Sequence, residues 1–377
     1  MLLSTIEVTN FRNLTGKLVW GPHLNIIFGR NGQGKTNWLE AIYVLARTKS
    51  FRTQRLQEAI KFNESLAVVR GIVTAGLELQ RDLQVTLQNN TKTIQVNGKR
   101  EVLTRYLSQL QVFSFTAADL EIVRGMPDAR RRFLDRSIAS IKPAYLQTIA
   151  DYSRVLKQKN KLLQIASEGQ QYRVEQLTEM LEPWNDQLVQ LGAEIHRERS
   201  RYVERLNQTL ERQLFDRKEL ITRYLSSVAT VESEGGYEEV IRERLKLRMP
   251  AEMASGHALI GPHRDDLEIH LDGREIKVFG SSGQQRSALL LLDLAAISLY
   301  NLDSNDAPVF VIDDVDAELD EGRIRHLLEY LENRTQTFIT TSKRTHVEGF
   351  LSRAEVFEIE QGMVRESCAM DTIFVGN

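Results

Sequence analysis

From Leu2 to about Phe115, hydrophobic and polar positions alternate in short runs bounded by turn residues. Period-two alternation sends successive side chains to opposite faces and so predicts half-buried strands. Ile6-Glu7-Val8, Leu77-Glu78-Leu79 and Thr93-Ile94-Gln95-Val96 fit that template, the last followed by the turn pair Asn97-Gly98, while Leu18-Val19-Trp20 and Leu66-Ala67-Val68-Val69 are short apolar runs that also read as strands. Leu24 to Phe28 and Val309 to Ile312 are instead nearly continuous apolar runs, as strands covered on both faces require. Thr337 to Thr340 reads as a parallel partner of the second run, with a helix over Arg323 to Leu331 between them. Leu267-Glu268-Ile269 and Ile276-Lys277-Val278 predict two further strands.

Between about Pro127 and Pro250 the spacing changes and turn signals become sparse. Ile138, Ile141, Tyr145, Thr148, Tyr152, Val155, Lys159, Leu162 and Ala166 recur by threes and fours, as do Val174, Leu177, Leu181, Trp184, Leu188, Leu191 and Ile195. That period lays one stripe along a helix, so both runs predict heptad seams, and Ser167 to Gln171 predicts the turn of an antiparallel helical hairpin. Thr148 and Lys159 interrupt the first seam, while Pro143 and Pro183 are expected to start or kink helices. At about 1.5 Å per residue the first seam reaches only about 40 Å. The chain therefore divides into residues 1–126, half of a nucleotide-binding core; 127–254, an inserted helical lobe; and 255–377, the rest of the core.

With 377 residues, 42% of them hydrophobic, the chain can bury a large core. A net charge of -2 gives no global basicity, so a nucleic-acid surface would have to be local. Arg130-Arg131-Arg132 and Lys157, Lys159 and Lys161 are the candidates, weighed against the plainer reading of a solvated helix face. One cysteine, Cys368, excludes an intrachain disulfide and suits a reducing compartment. Met1 to Thr5 lacks the charged start of a secretory signal, and the apolar stretch around Leu289 to Leu292 is interrupted by Asp293, so a cytoplasmic protein without membrane attachment is expected.

Gly29-Arg30-Asn31-Gly32-Gln33-Gly34-Lys35-Thr36 matches the phosphate-loop pattern at every fixed position, between the run ending at Phe28 and a helix-like segment from Asn37. In such a loop backbone N–H groups and the helix N-terminus converge on the β- and γ-phosphates, the lysine adds a point charge, and the threonine hydroxyl is a ligand for Mg2+. Asp313 and Asp314 end the buried run Val309 to Ile312, at the sheet edge where ligands bind. Asp313 is assigned to Mg2+, and Asp314 to polarising the attacking water. ATP and Mg2+ are the expected cofactors.

The acidic strand follows far downstream of the loop, just after Ser281-Ser282-Gly283-Gln284-Gln285-Arg286. That order resembles the ATP-binding cassette superfamily, in which a Ser-rich signature from one subunit caps the γ-phosphate held by the other. The resemblance implies an α/β fold with a cassette-type nucleotide-binding core and a mixed sheet, plus an inserted helical lobe with a short antiparallel helical hairpin. It also implies that Ser281, Ser282, Gly283 and Gln284 reach the ATP of a partner copy, and that Asp320, in Glu318-Leu319-Asp320, joins Asp313, Asp314 and Lys35 in catalysis.

Phe11-Arg12-Asn13, Asn31 to Asn37 with Leu39-Glu40-Ala41-Ile42, Lys49-Ser50-Phe51-Arg52, Arg131-Arg132-Phe133-Leu134-Asp135, Gly261-Pro262-His263-Arg264-Asp265-Asp266 and Gly283-Gln284-Gln285-Arg286 resemble, in order, the motifs of the RecF family of bacterial recombination mediators. The resemblance extends the ATP site to Arg12, Asn13 and Asn37; His263 and Arg264 are expected to brace the site or its interface rather than bind a metal, since no partner ligands lie at suitable spacing. It implies an ATP-dependent homodimer that binds DNA at single-strand gaps and single-/double-strand junctions. With RecR and RecO it would help place recombinase, supporting repair, replication restart and the SOS response. The chain departs from the family where Ala117 stands near a usual proline, where Ser282 replaces glycine or glutamine, and where Trp38 replaces leucine, a change expected to repack the helix without altering chemistry. Cassette ATPases generally carry Glu at the place of Asp314 and His at that of Ser342; RecF-like chains share these substitutions, which predict slow hydrolysis.

Three other readings compete. A transport-type cassette would co-sediment with membranes, a small-molecule kinase would work independently of protein concentration, and an SMC-like structural ATPase would need far longer coils than this hairpin.

Overall fold

The computed structural model describes residues 1–75, 79–168, 174–210, 219–228, 236–304 and 306–368. They form two compact units: one from Met1–Leu120 and the described residues after Ser281, the other from the described residues between Glu121 and Gly280.

The first unit holds two six-stranded sheets. One is wholly antiparallel, in the order Leu14–Val19, Leu2–Phe11, Leu66–Ala75, Leu79–Gln88, Thr91–Val96, Lys99–Arg100. Of the predicted Leu77-Glu78-Leu79, the first two positions lie outside the described residues. Asn97 and Gly98 take φ of 51° and 74°, the left-handed pair that a two-residue hairpin turn requires. The other sheet is mixed: Ala354–Glu360, Leu24–Phe28, Gln336–Thr341, Val309–Ile312 and Val112–Phe115 run parallel, and Met363–Cys368 adds an antiparallel edge. Helix Lys35–Arg47 packs against both sheets, sharing one core with Leu3, Ile6 and Val69 of the first and Ile27, Val311 and Phe338 of the second. Trp38, the departure in that helix, is fully buried edge-to-face with Trp20, which in turn meets Phe338 and Phe357. Helix Ser282–Ser304 has the length and apolarity to cross a membrane, yet 67% of its most apolar window is buried in the fold.

The second unit is built on helices Pro127–Ile141, Tyr145–Ser167, Val174–Leu210 and Gly236–Ser255. The two long central helices pack on each other, with Leu163, Leu177 and Leu181 in a common cluster; of the predicted turn Ser167 to Gln171, Ser167 and Glu168 end the first of these helices and the rest lies outside the described residues. Pro143 precedes the second helix, so the first predicted seam spans two helices, whereas Pro183 lies inside the third. Neither interruption of that seam faces solvent. Thr148 donates to Glu194, and Lys159 pairs with Glu252 at 2.6 Å with both side chains fully buried.

Two expectations are corrected. The second unit runs beyond 254 to Gly280, because Asp266–Leu271 pairs with Leu220–Leu225, a strand hidden within the stretch read as helical. Ile276-Lys277-Val278 is not a strand: the ladder from Asp266–Leu271 ends at the His270–Glu275 pair, and the chain turns into the short helix Ile276–Phe279, its β-branched composition overridden by context.

Candidate functional site

Strand Leu24–Phe28 delivers the glycine-rich loop to the C-terminal edge of the parallel sheet, and helix Lys35–Arg47 leads away from it. Gly32 and Gly34 have φ of 81° and 102°, a conformation that admits glycine at little cost. A Cβ on Gly34 would stand 3.0 Å from Asn13 Nδ2 and 3.1 Å from the Gly362 Cα, so the loop is pressed against a neighbouring turn. That turn also binds it: Gly362 N–H donates to the Gln33 carbonyl at 2.7 Å, Gln361 N–H to Gln33 Oε1 at 2.8 Å, and Trp38 Nε1 to the Gly362 carbonyl at 3.2 Å.

Asn31, Gly32, Gly34, Lys35, Thr36 and Asn37 line a cleft of about 370 Å³ together with Asp313, Asp314, Thr340 and Arg52. Lys35 Nζ donates to the carbonyls of Gly29 at 2.6 Å and Arg30 at 3.1 Å. Burial lowers its pKa, opposed by the charges of Asp314, Asp316 and Asp313. Thr36 Oγ1 donates to Asp313 Oδ1 at 2.9 Å, and Thr340 Oγ1 donates to the same oxygen at 2.8 Å. Burial raises the Asp313 carboxyl above its ordinary value, and those two hydroxyls pull it back. Asp314 has φ 49° and ψ 55°, left-handed for a non-glycine residue, with its N–H held by Thr340 Oγ1 at 2.7 Å.

These residues fit a nucleoside triphosphate with Mg2+. The glycine curl and the helix N-terminus suit phosphate oxygens, and Thr36 with Asp313 offers the sparse oxygen set that Mg2+ prefers. No cluster of three His, Cys, Asp or Glu side chains suited to a metal occurs among the described residues.

The other predicted residues stand outside the cleft. Gly29, Arg30 and Gln33 shape the loop through the bonds just described. Asn13 accepts from Asn37 Nδ2 at 2.7 Å, and Arg12 makes a two-pronged pair with buried Glu40 at 3.0 and 2.8 Å; both support the loop from behind. Ser281 and Gln284 form a reciprocal cap on helix Ser282–Ser304: Ser281 N–H donates to Gln284 Oε1 at 2.8 Å and Gln284 N–H to Ser281 Oγ at 3.3 Å. Ser282 and Gly283 begin the same helix and do not line the cleft. Asp320 caps helix Glu321–Leu331 by accepting from Arg323 N–H at 3.0 Å.

The sequence reading gave no site role to Arg52 or Thr340. Arg52 Nη1 donates to Asn37 Oδ1 at 2.6 Å, and its motif, Lys49 to Arg52, was the available signal. Thr340 follows from strand register, since Ile312 pairs with Ile339 and places the next residue beside Asp313.

The basic candidates fare differently from expectation. Arg130 is buried in a two-pronged pair with Asp266 at 2.6 and 2.8 Å, and Arg131 donates to the Asp265 carbonyl at 2.7 Å. Arg132 pairs with Asp128 at the surface, and Lys159 is buried, leaving Arg132, Lys157 and Lys161 exposed. The arginine and Gly261 to Asp266 motifs thus interlock: Arg199 grips Asp135 at 2.9 Å through two nitrogens and donates to the Pro262 carbonyl at 2.8 Å. His263 Nδ1 shares a 2.7 Å bond with Tyr152 Oη, and burial pushes its imidazole down to about 4. His263 and Arg264 brace their own unit through the Ala258 carbonyl.

The family model described as RecF/RecN/SMC N terminal domain matches residues 2–365. The chain is 36% identical to a DNA replication and repair protein RecF of Staphylococcus epidermidis, covering 97% of this chain and 100% of the relative. It is 34% identical to the RecF of Shouchella clausii, covering 97% and 99%. A solved structure of the recombination mediator protein RecF with ATP, in the RecFOR pathway, superposes with TM-score 0.88 at 32% identity over 98% of each chain. An SMC head bound to the C-winged helix domain of ScpA shares the fold at TM-score 0.57 and 13% identity. The chain belongs to the RecF family of DNA replication and repair proteins.

Proposed function

We propose that this protein is an ATP-dependent DNA-binding ATPase of recombinational repair whose nucleotide site is completed by a second copy. The observation that carries the reading is the split of the motifs. Phosphate loop, Thr36, Asp313 and Asp314 share one cleft, while Ser281 to Gln284 cap a helix outside it. Each protomer binds ATP through the loop N–H groups, Lys35 and Thr36, and Asp313 with Thr36 holds Mg2+. Bound Mg2+ neutralises charge on the β- and γ-phosphates. Ser281 and Gly283 of a partner copy close over the γ-phosphate, so ATP favours the dimer by binding it better than the monomer. Asp314 orients the attacking water, Asp320 meets the opposite protomer, and hydrolysis removes the bridging phosphate and frees DNA.

DNA at gaps and single-/double-strand junctions, help from RecR and RecO in placing recombinase, slow hydrolysis linked to DNA, and work in the cytoplasm complete the reading. They are supported by RecF relatives and by a RecF–ATP structure of the RecFOR pathway. The test is DNA binding across duplex, single-stranded and gapped substrates over a salt series, with and without a nonhydrolysable ATP analogue. Tighter binding with the analogue, accompanied by a dimer on gel filtration, is expected. DNA affinity indifferent to nucleotide would refute the coupling.

A further inference from the structure

Beside the cleft lies a carboxylate that the function has not used. Asp316, two residues beyond Asp314, accepts from Ser342 N–H at 2.7 Å, Ser342 Oγ at 3.0 Å, Lys343 N–H at 3.1 Å and the Thr341 hydroxyl. Four donors around one carboxylate make a rigid tie, because an ionised Asp can accept at both oxygens while presenting no donor of its own. The tie joins the acidic edge, Asp313 to Asp316, to the segment leaving strand Gln336–Thr341.

The same two segments are joined a second time. Thr340 Oγ1 donates to Asp313 and accepts from Asp314 N–H, so one clamp lies at Thr340 and the other at Asp316. Asp314 sits between them in its left-handed conformation, which persists only when its surroundings over-determine it. The charge of Asp316 also reaches the cleft, where it acts on Lys35.

We propose that Asp316 is a positioning residue for ATP hydrolysis: by tying Thr341, Ser342 and Lys343 to the acidic edge it holds Asp314 in place for the attacking water, while adding little to nucleotide affinity. The proposal rests on the ATPase reading above. Releasing the tie frees Ser342 N–H and lets the segment drift from Asp314, while the hydrogen bonds of Lys35 to the Gly29 and Arg30 carbonyls stay in place.

The test uses Asp316→Ala and Asp316→Asn in the full chain, with ATPase rates normalised to the stoichiometry of bound nucleotide so that misfolded protein does not count. Asparagine can keep its Oδ1 where Ser342 N–H, Ser342 Oγ and Lys343 N–H converge and turn its NH2 to the Thr341 hydroxyl, which can accept, so Asp316→Asn should be the milder variant and Asp316→Ala carries the test. For Asp316→Ala we expect kcat to fall about tenfold or more with KM for ATP changed by less than about twofold, since an interaction that acts only in the transition state lowers kcat alone. Amide exchange at Ser342 should accelerate by about tenfold or more in Asp316→Ala, because that N–H loses its acceptor, whereas Lys343 N–H keeps Thr341 Oγ1 at 3.1 Å. Unchanged kcat per site in Asp316→Ala overturns the proposal, as does unchanged exchange at Ser342. A wild-type protein that hydrolyses no ATP would instead overturn the ATPase reading, and this proposal with it.

Discussion

Thr340→Val removes one hydroxyl from the centre of the site without changing its shape. The side chain is 1% exposed, and its Oγ1 donates to Asp313 at 2.8 Å while accepting from Asp314 N–H at 2.7 Å. A hydrogen bond to a charged carboxylate contributes about 1.5–3 kcal/mol, and a buried N–H left without an acceptor costs about 1–3 kcal/mol. Asp314 is only half-buried, so water recovers part of the second loss. The expected destabilisation is about 2–4 kcal/mol at neutral pH. Of the three tryptophans, Trp20 and Trp38 belong to the same unit as Thr340 and Trp184 to the other. Denaturant unfolding followed by fluorescence in a Trp184→Phe background therefore reads the right unit. The pH dependence has a definite sign. Burial already raises the Asp313 carboxyl, and Thr340 is the main group opposing that rise. Its loss raises the carboxyl further, so the folded variant takes up a proton more readily than wild type. The deficit should be largest above the raised value and shrink on acidification. A deficit below about 0.5 kcal/mol, or one that grows as pH falls, would refute this account of the Asp313–Thr340–Asp314 unit.

Other perturbations probe separate links. Lys159→Met should destabilise the second unit by about 3–5 kcal/mol, seen in Trp184 fluorescence, because it strands buried Glu252; adding Glu252→Leu should recover most of this except the bond from Leu259 N–H to Glu252 Oε1. An unimproved double variant would show that packing, not charge, sets the loss. His263 is held down to about 4 from 6.5, so its contribution is complete above pH 6.5 and is lost as pH falls toward 4, an expected loss of about 3 kcal/mol. A flat stability profile over that window contradicts the buried, neutral imidazole. Ser281→Arg should leave ATP affinity of the monomer within about twofold while abolishing the ATP-dependent dimer on gel filtration; joint loss of both argues against a site completed in trans. Asp314→Asn should give a long-lived ATP dimer, and release at the wild-type rate would remove that residue from hydrolysis.

What the sequence revealed and what it concealed divide along one physical line. The phosphate loop, the acidic strand and the helical stripes were legible because each depends on residues adjacent in the chain: glycines for a curl, apolar runs for a buried strand, threes and fours for a helix face. Pairings across long separations left no such trace. Arg130 and Arg131 read as a basic patch because their partners, Asp265 and Asp266, stand far along the chain; once paired, the charges serve the fold. Lys159 looked like a flaw in a seam until Glu252 supplied its counter-charge. Leu220–Leu225 passed for helix since its ladder partner lies beyond the helical stretch. The signature obeys the same physical line. Within its own chain Ser281 satisfies itself locally, in a reciprocal cap with Gln284 that any polar helix start could make. A serine whose in-chain contacts ask so little of its hydroxyl leaves it able to meet a second molecule, and Ser281→Arg, which forbids that approach while sparing the cleft, is where the split site stands or falls.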